Sequence, residues 1–198
     1  DILKHRSFKK LSLHSKVVIT TTVVLLVAGT LLLKATEHIT WLGAFFHSVS
    51  ARTAGFSTYS IGDFTNAGLF VLCILMFIGA SPGSTGGGIK TSTFFVMVQE
   101  TRSMVTKNPI HAFRRSISKE NVSRAFLITF LSGSVVCIAT LLMCVLDPEY
   151  SFIQLFFEVV SAFGTVGLST GITPYLSVAG KLVIILVMFT GRVGAFTL

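Results

Sequence analysis

Long stretches of this sequence contain no Asp, Glu, Lys or Arg, and they constrain the fold more than any other feature. Three of them cover residues 17–33, 64–89 and 125–146, which are 17, 26 and 22 residues long. A helix needs about 20 mostly apolar residues to cross the hydrocarbon core of a bilayer. A fourth apolar run begins after Lys181 and is interrupted by Arg192. The pattern predicts an all-α protein that crosses a membrane several times.

The composition supports a lipid environment and argues against an enzyme. Charged residues make up 12% of the chain and apolar residues 52%, whereas a soluble domain has about 25% charged residues. The three cysteines lie in apolar stretches without the spacing of metal ligands. The sequence also offers no paired carboxylates and no nucleophile with a nearby base. We therefore expect no enzymatic activity and no covalent cofactor.

The basic residues indicate how the chain is oriented in the membrane. Segments 1–16 and 102–124 hold 11 of the 16 Lys and Arg residues. Cytoplasmic loops of membrane proteins are enriched in Lys and Arg, so both segments are expected on the cytoplasmic side of a cell membrane. The net charge of +8 is then explained without nucleic acid as a partner.

Two shorter apolar segments, 38–51 and 151–163, lie between the long ones. Fourteen helical residues reach only about 21 Å, which is too short for a hydrocarbon core of about 30 Å. We expect each segment to be a re-entrant helix that enters the membrane and stops near its centre.

An internal repeat relates the two halves of the chain. Residues 45–51 (FFHSVSA) match 156–162 (FFEVVSA) at five of seven positions, and 53–58 (TAGFST) match 165–170 (TVGLST) at four of six. Repeats of this kind indicate a duplicated structural unit. We predict two copies, 17–101 and 125–198, each a span, a short helix, a Thr-x-Gly turn and a second span.

The repeated unit has a physical use at the centre of a membrane. A short helix that ends there directs its partly negative C-terminal end towards a dehydrated cation. Glycine allows backbone angles that bring carbonyl groups onto a common axis, and rings of carbonyls can replace the hydration shell of an ion. Segments 53–57 and 164–169 could also be ordinary turns, but two copies at matched positions favour an ion pathway.

The segment 79–91 (GASPGSTGGGIKT) contains five glycines and a proline, so a continuous helix is not expected there. Gly83 and Gly88 have the spacing of a phosphate-binding loop, but residue 89 is Ile and an apolar span precedes the segment instead of a strand. The segment could also be a structural kink in a membrane helix, without a role in transport or binding. Arg192 lies within an apolar run, which is costly and indicates either a functional role or an interfacial anchor.

Four motifs together resemble the KtrB/TrkH/HKT superfamily of potassium transporters, and most closely its bacterial KtrB branch. They are SARTAGFS at 50–57, GASPGSTGGGIKT at 79–91, GTVGLSTG at 164–171 and GRVG at 191–194. The resemblance implies four parallel helix–pore loop–helix repeats around one pore, of which this chain has the third and fourth. The chain is expected to be a fragment truncated at its C-terminus, although a two-repeat subunit that dimerises stays open.

The same resemblance implies specific site residues. Two quarters of a selectivity filter would be formed by Thr53, Ala54, Gly55 and Phe56 and by Thr165, Val166, Gly167 and Leu168. K+ would be bound by the backbone carbonyls of Thr53, Ala54, Gly55, Thr165, Val166 and Gly167. A gate would be formed by Gly79, Ser81, Pro82, Gly83, Ser84, Thr85, Gly86, Gly87, Gly88 and Arg192.

The resemblance also implies partners and a location. We expect K+ as the transported ion with Na+ as a candidate activator, a homodimer, and a cytosolic nucleotide-binding ring of the RCK (KtrA-like) type. The chain would lie in a bacterial inner (plasma) membrane, and segments 1–16 and 102–124 could contact either the ring or anionic membrane lipid. The rival hypothesis is a broken-helix secondary transporter for a small solute or a sodium-permeable cation transporter. Two parallel copies favour the pore.

Overall fold

The computed structural model describes residues 12–84, 86–106, 111–112, 115–116 and 119–194. Within these ranges the regular secondary structure is helical except for one short hairpin. The helices are α1 (Leu13–Thr36), α2 (Trp41–Ser50), α3 (Asn66–Phe77), α4 (Thr91–Thr106), α5 (Lys119–Leu146), α6 (Phe152–Gly164) and α7 (Val178–Val193). Strands β1 (His111–Ala112) and β2 (Arg115–Ser116) pair antiparallel, and single 3-10 turns cover Ile61–Asp63 and Thr173–Tyr175.

Helices α1 and α5 are the two described helices that are long and apolar enough to cross a membrane, with 24 and 28 residues. Their outward faces carry large apolar side chains such as Leu31, Phe130 and Leu141, which are 53%, 73% and 66% exposed. Exposed apolar surface of this extent marks a membrane or protein contact. The helix lengths and their surfaces agree with a membrane protein.

The charge-free run 64–89 does not form one spanning helix. Helix α3 ends at Phe77 after 12 residues, and the next helix, α4, begins only at Thr91. Gly83 and Gly88 adopt positive φ angles of 81° and 72°, which a continuous helix excludes. The broken segment agrees with the expectation drawn from its glycines and proline.

In each half of the chain a buried carboxylate joins two helices, α1 to α3 in the first half and α5 to α7 in the second. Glu37, at the end of α1, accepts hydrogen bonds from the backbone N–H (2.9 Å) and the hydroxyl (2.6 Å) of Thr65, which precedes α3. Asp147, at the end of α5, accepts from the N–H (2.8 Å) and the hydroxyl (3.1 Å) of Ser177, which precedes α7. A helix N-terminus favours a nearby negative charge. The two contacts hold the N-termini of α3 and α7 at matching positions of the two halves.

Helix α6 forms the centre of the core, where it packs between α3 and α7. Phe157, Val159 and Phe163 on α6 are at most 2% exposed, and Met76 of α3 is fully buried beside them. A Cβ atom at Gly164 would lie 2.7 Å from the Met76 carbonyl oxygen. The end of α6 is therefore in close backbone contact with α3.

A short helix forms in each of the two segments that were expected to be re-entrant, but its ends differ from the expected ones. Helix α2 covers Trp41–Ser50 within the expected 38–51, and α6 covers Phe152–Gly164, so that Gly164 belongs to the helix. Helices α4 and α5 extend into the expected basic linker 102–124 from both sides, where Arg124 pairs with Glu120 at 2.6 Å. Lys107, Arg114 and residues 1–11 lie outside the described residues.

Candidate functional site

The chain leaves α2 and α6 through the same unusual backbone conformation. Thr53 and Thr165 have positive φ angles of 76° and 52°, and they are followed by Gly55 at 78° and Gly167 at 95°. A β-branched residue rarely adopts positive φ, because its side chain crowds the backbone. Such strained residues persist where the surrounding structure holds them, and they cluster at functional sites.

A serine on each short helix folds the following segment back onto that helix. Ser50 donates its hydroxyl proton to the carbonyl of Phe56, and Ser161 donates to the carbonyl of Leu168 at 2.6 Å. Both serines are buried. The carbonyls of Phe56 and Leu168 are therefore bound to the helix, which limits the candidates for ion binding to the carbonyls that precede them.

The two Thr-x-Gly segments lie side by side. A Cβ atom at Gly55 would press against the carbonyl oxygen of Val166, and a Cβ atom at Gly167 would lie 4.0 Å from the Gly55 Cα. Ala54, Phe56 and Gly167 are exposed, whereas Val166 and Leu168 are buried. The eight residues expected to form the filter are thus brought together, although they are 112 positions apart in sequence.

The glycine-rich segment packs directly against both of these threonines. The Gly87 N–H donates to the Thr165 hydroxyl at 2.8 Å. A Cβ atom at Gly86 would lie 2.9 Å from the Thr53 side chain, and one at Gly87 would lie 2.9 Å from the Thr165 side chain. The absence of side chains at both glycines lets the segment reach the start of each Thr-x-Gly turn.

Local hydrogen bonds shape the rest of the segment. Lys90 donates to the carbonyl of Gly86, and the Ser84 hydroxyl donates to the carbonyl of Ser81 at 2.7 Å. The Ile89 N–H donates to the carbonyl of Phe77 at 3.0 Å, which closes the loop at its base. The remaining expected gate residues Gly79, Pro82, Gly83 and Gly88 belong to the same loop. Thr85 lies outside the described residues.

Arg192 lies in the last turn of α7 and is exposed. A Cβ atom at the preceding residue, Gly191, would press against the carbonyl of Phe163, two residues before Thr165. The end of α7 that carries Arg192 therefore contacts the end of α6, next to the second Thr-x-Gly segment.

Sequence reasoning missed three residues of this site. Ser50 and Ser161 have a signal in the repeat, since both match at the aligned Ser-Ala pairs. Lys90 ends a charge-free run of 26 residues. An isolated charge beside an apolar segment is a signal that could have identified Lys90.

The described residues contain no group of three or more His, Cys, Asp or Glu side chains that could hold a metal ion. The two Thr-x-Gly segments offer backbone carbonyls and threonine hydroxyl groups instead. These are the ligands that hard monovalent cations use in filters.

Comparisons with known proteins agree with these features. The family model TrkH, described as cation transport protein, matches residues 9–198. The Ktr system potassium uptake protein B of Vibrio alginolyticus is 38% identical, and the potassium/sodium uptake protein NtpJ of Enterococcus hirae is 40% identical; each match covers 100% of this chain and 47% of the relative. The chain thus spans about half the length of these relatives.

One solved structure has the same fold. The crystal structure of the potassium transporter TrkH from Vibrio parahaemolyticus superposes with a TM-score of 0.72, over 93% of this chain and 42% of that chain. The sequence identity is 22%, so this similarity concerns the fold alone.

Proposed function

The chain belongs to the TrkH family of cation transport proteins, and from that premise we propose that it takes part in potassium uptake across a cell membrane. The resemblance drawn from its motifs is confirmed at the level of the family. The observation that carries the proposal is the pair of adjacent Thr-x-Gly segments with positive φ angles at Thr53, Gly55, Thr165 and Gly167. The names of the relatives, which are potassium or potassium/sodium uptake proteins, support K+ as the ion and a transporter instead of an enzyme.

In this proposal K+ passes through a filter of backbone carbonyls from residues 53–55 and 165–167. The serine contacts to Phe56 and Leu168 support this division, since those two carbonyls are already bound. The C-terminal ends of α2 and α6 add a favourable field for a cation. Two such segments supply half of a four-sided filter, and the other half comes from two further repeats or from a second copy.

We propose that the glycine-rich segment 79–91 closes the path beneath the filter. The hydrogen bond from Gly87 to Thr165 and the contact of Gly86 with Thr53 support this role. An ion can pass only if the segment moves, which breaks the bond between Gly87 and Thr165. A net hydrogen bond is worth about 0.5–1.5 kcal/mol, so breaking this bond costs little. The charge of Arg192 raises the barrier for a cation there.

The proposed setting is a bacterial plasma membrane, with a homodimer and a cytosolic nucleotide-binding ring of the RCK type as the assembly, and Na+ as an activator. The exposed basic residues Arg102, Lys119 and Arg124 around the cytoplasmic connection support a contact with an acidic face of such a ring or with anionic lipid. The word "system" in the name of the Vibrio alginolyticus relative supports a partner subunit.

A flux measurement tests the proposal. The complete protein, reconstituted in liposomes, should release K+ and should restore growth of a bacterium that lacks its own potassium uptake systems. Gly133→Ala is a matched control for filter glycines, because a Cβ atom there has open space. Absence of K+ flux together with sodium-coupled uptake of a small solute would favour the secondary transporter.

A further inference from the structure

Glu158 is a buried carboxylate that no part of the proposed pathway has used so far. It lies in α6 and is 5% exposed, between the fully buried side chains of Phe157 and Val159. Removing a charge from water is costly unless hydrogen bonds satisfy it. The carboxylate accepts four such bonds, so its position in an apolar helix has a structural reason.

All four donors belong to the segment that directly follows the second filter turn. Oε1 of Glu158 accepts from the Ser169 hydroxyl (2.8 Å), the Thr170 N–H (2.8 Å) and the Thr170 hydroxyl (2.9 Å). Oε2 accepts from the Thr173 hydroxyl at 2.6 Å. Bonds to a charged acceptor are shorter and stronger than those between neutral groups. One side chain therefore holds residues 169–173 against α6.

Ser161 adds a second attachment point on the same face of the helix. It lies three residues after Glu158, a spacing that places two side chains on one helix face. Ser161 binds the Leu168 carbonyl, and Glu158 binds the next two residues, Ser169 and Thr170. Residues 168–170, at the end of the second filter segment, are thus each hydrogen-bonded to α6. The cavity beside it, about 280 Å³, is lined by Glu158, Ser161 and Gly167.

In the described part of the first half, residues 12–84 and 86–106, no carboxylate makes an equivalent attachment. The position that matches Glu158 in the repeat is His47, which is fully buried and packs against the rings of Tyr59 and Phe64 at centroid distances of 5.8 and 5.4 Å. Its Nδ1 pairs with the Gly43 carbonyl on its own helix. The first half therefore forms its short helix without a carboxylate at this position, so the attachment distinguishes the second filter segment from the first.

We propose that Glu158 is a positioning residue for ion selectivity, which fixes the backbone of the second filter segment through Ser169, Thr170 and Thr173. The inference rests on the proposed function, since it requires the segment to bind K+. A filter discriminates between ions through the number and the arrangement of its carbonyls. Loosening residues 169–173 would let the adjacent carbonyls of 165–167 adapt to a smaller ion.

The test compares Glu158→Gln with Asp147→Asn in the complete protein, at equal amounts in liposomes. Both changes remove one buried carboxylate charge that accepts hydrogen bonds, but Asp147 binds Ser177 at the start of α7 and not the filter segment. We expect Glu158→Gln to lower the ratio of K+ to Na+ permeability by about fivefold, which corresponds to about 1 kcal/mol. Asp147→Asn should leave this ratio unchanged.

Thr173→Val provides a second variant if Glu158→Gln does not assemble. It keeps the side-chain shape and removes the donor to Oε2, together with the contact between the Thr173 and Ser169 hydroxyls. It should lower the permeability ratio in the same direction. A wild-type ratio in every assembled variant of Glu158 and Thr173 overturns the inference. Wild-type protein that conducts no K+ overturns the proposed function itself, so the two failures are distinguishable.

Discussion

Replacing Gly55 by alanine tests the filter assignment most directly. Gly55 has a φ angle of 78°, and an added Cβ atom would press against the Val166 carbonyl oxygen in the neighbouring segment. A residue with a side chain pays about 1–2 kcal/mol in this backbone region. In addition, the Val166 carbonyl, a proposed K+ ligand, must move away from the new methyl group.

The expected result is weaker ion binding. Each 1.4 kcal/mol lost from binding corresponds to a factor of about ten, so the loss of about 1–2 kcal/mol from one displaced ligand should raise the KM for K+ about 5- to 30-fold. The assay is initial K+ uptake as a function of K+ concentration, in cells that lack other uptake systems and at matched expression.

Gly171→Ala is the control that separates strain from displacement. Gly171 also has a positive φ angle, 95°, but a Cβ atom there meets nothing within 4 Å. Both variants should lose thermal stability through backbone strain, and Gly55→Ala should lose more because of the contact with Val166. Only Gly55→Ala should change the KM. If Gly55→Ala transports K+ with the same KM as Gly171→Ala, the filter assignment is wrong.

Three further changes test the gate and the helix caps. Deleting residues 81–88 should raise K+ flux through liposomes several-fold, because the segment no longer blocks the filter; lower flux from a well-folded protein would indicate a structural kink. Arg192→Ala and Arg192→Gln should raise K+ flux about tenfold or more, since two unit charges about 8 Å apart repel by about 2 kcal/mol at an effective dielectric constant of 20. Arg192→Lys keeps the charge and should stay near wild type. Equal flux in all three variants would contradict a role of the Arg192 charge. Glu37→Gln should lower the Tm in detergent by several degrees through the weakened bonds to Thr65, and an unchanged Tm would show that this cap adds little stability.

Much of the architecture could be predicted from the sequence because it depends on short-range properties. Hydropathy identified the segments that became α1 and α5, and the length limit of a bilayer identified the short segments that became α2 and α6. The Thr-x-Gly turns were recognisable because glycine allows unusual backbone angles after a helix, and two copies strengthened the prediction. The positive φ angles of Thr53 and Thr165 were not predicted. The family resemblance rested on the same local motifs.

Other features could be decided only by the tertiary structure. The glycines of 79–91 predicted a break, but the point where α3 ends, Phe77, depends on its packing against α6. The hydrogen bond between Gly87 and Thr165 joins residues 78 positions apart, and Glu158 reaches its donors only because the chain folds back over α6. Such contacts depend on which surfaces meet in three dimensions. A local sequence pattern does not show which distant residues will be neighbours in space. The hydrogen-bond partners of a buried charge are therefore known only once the helices have packed.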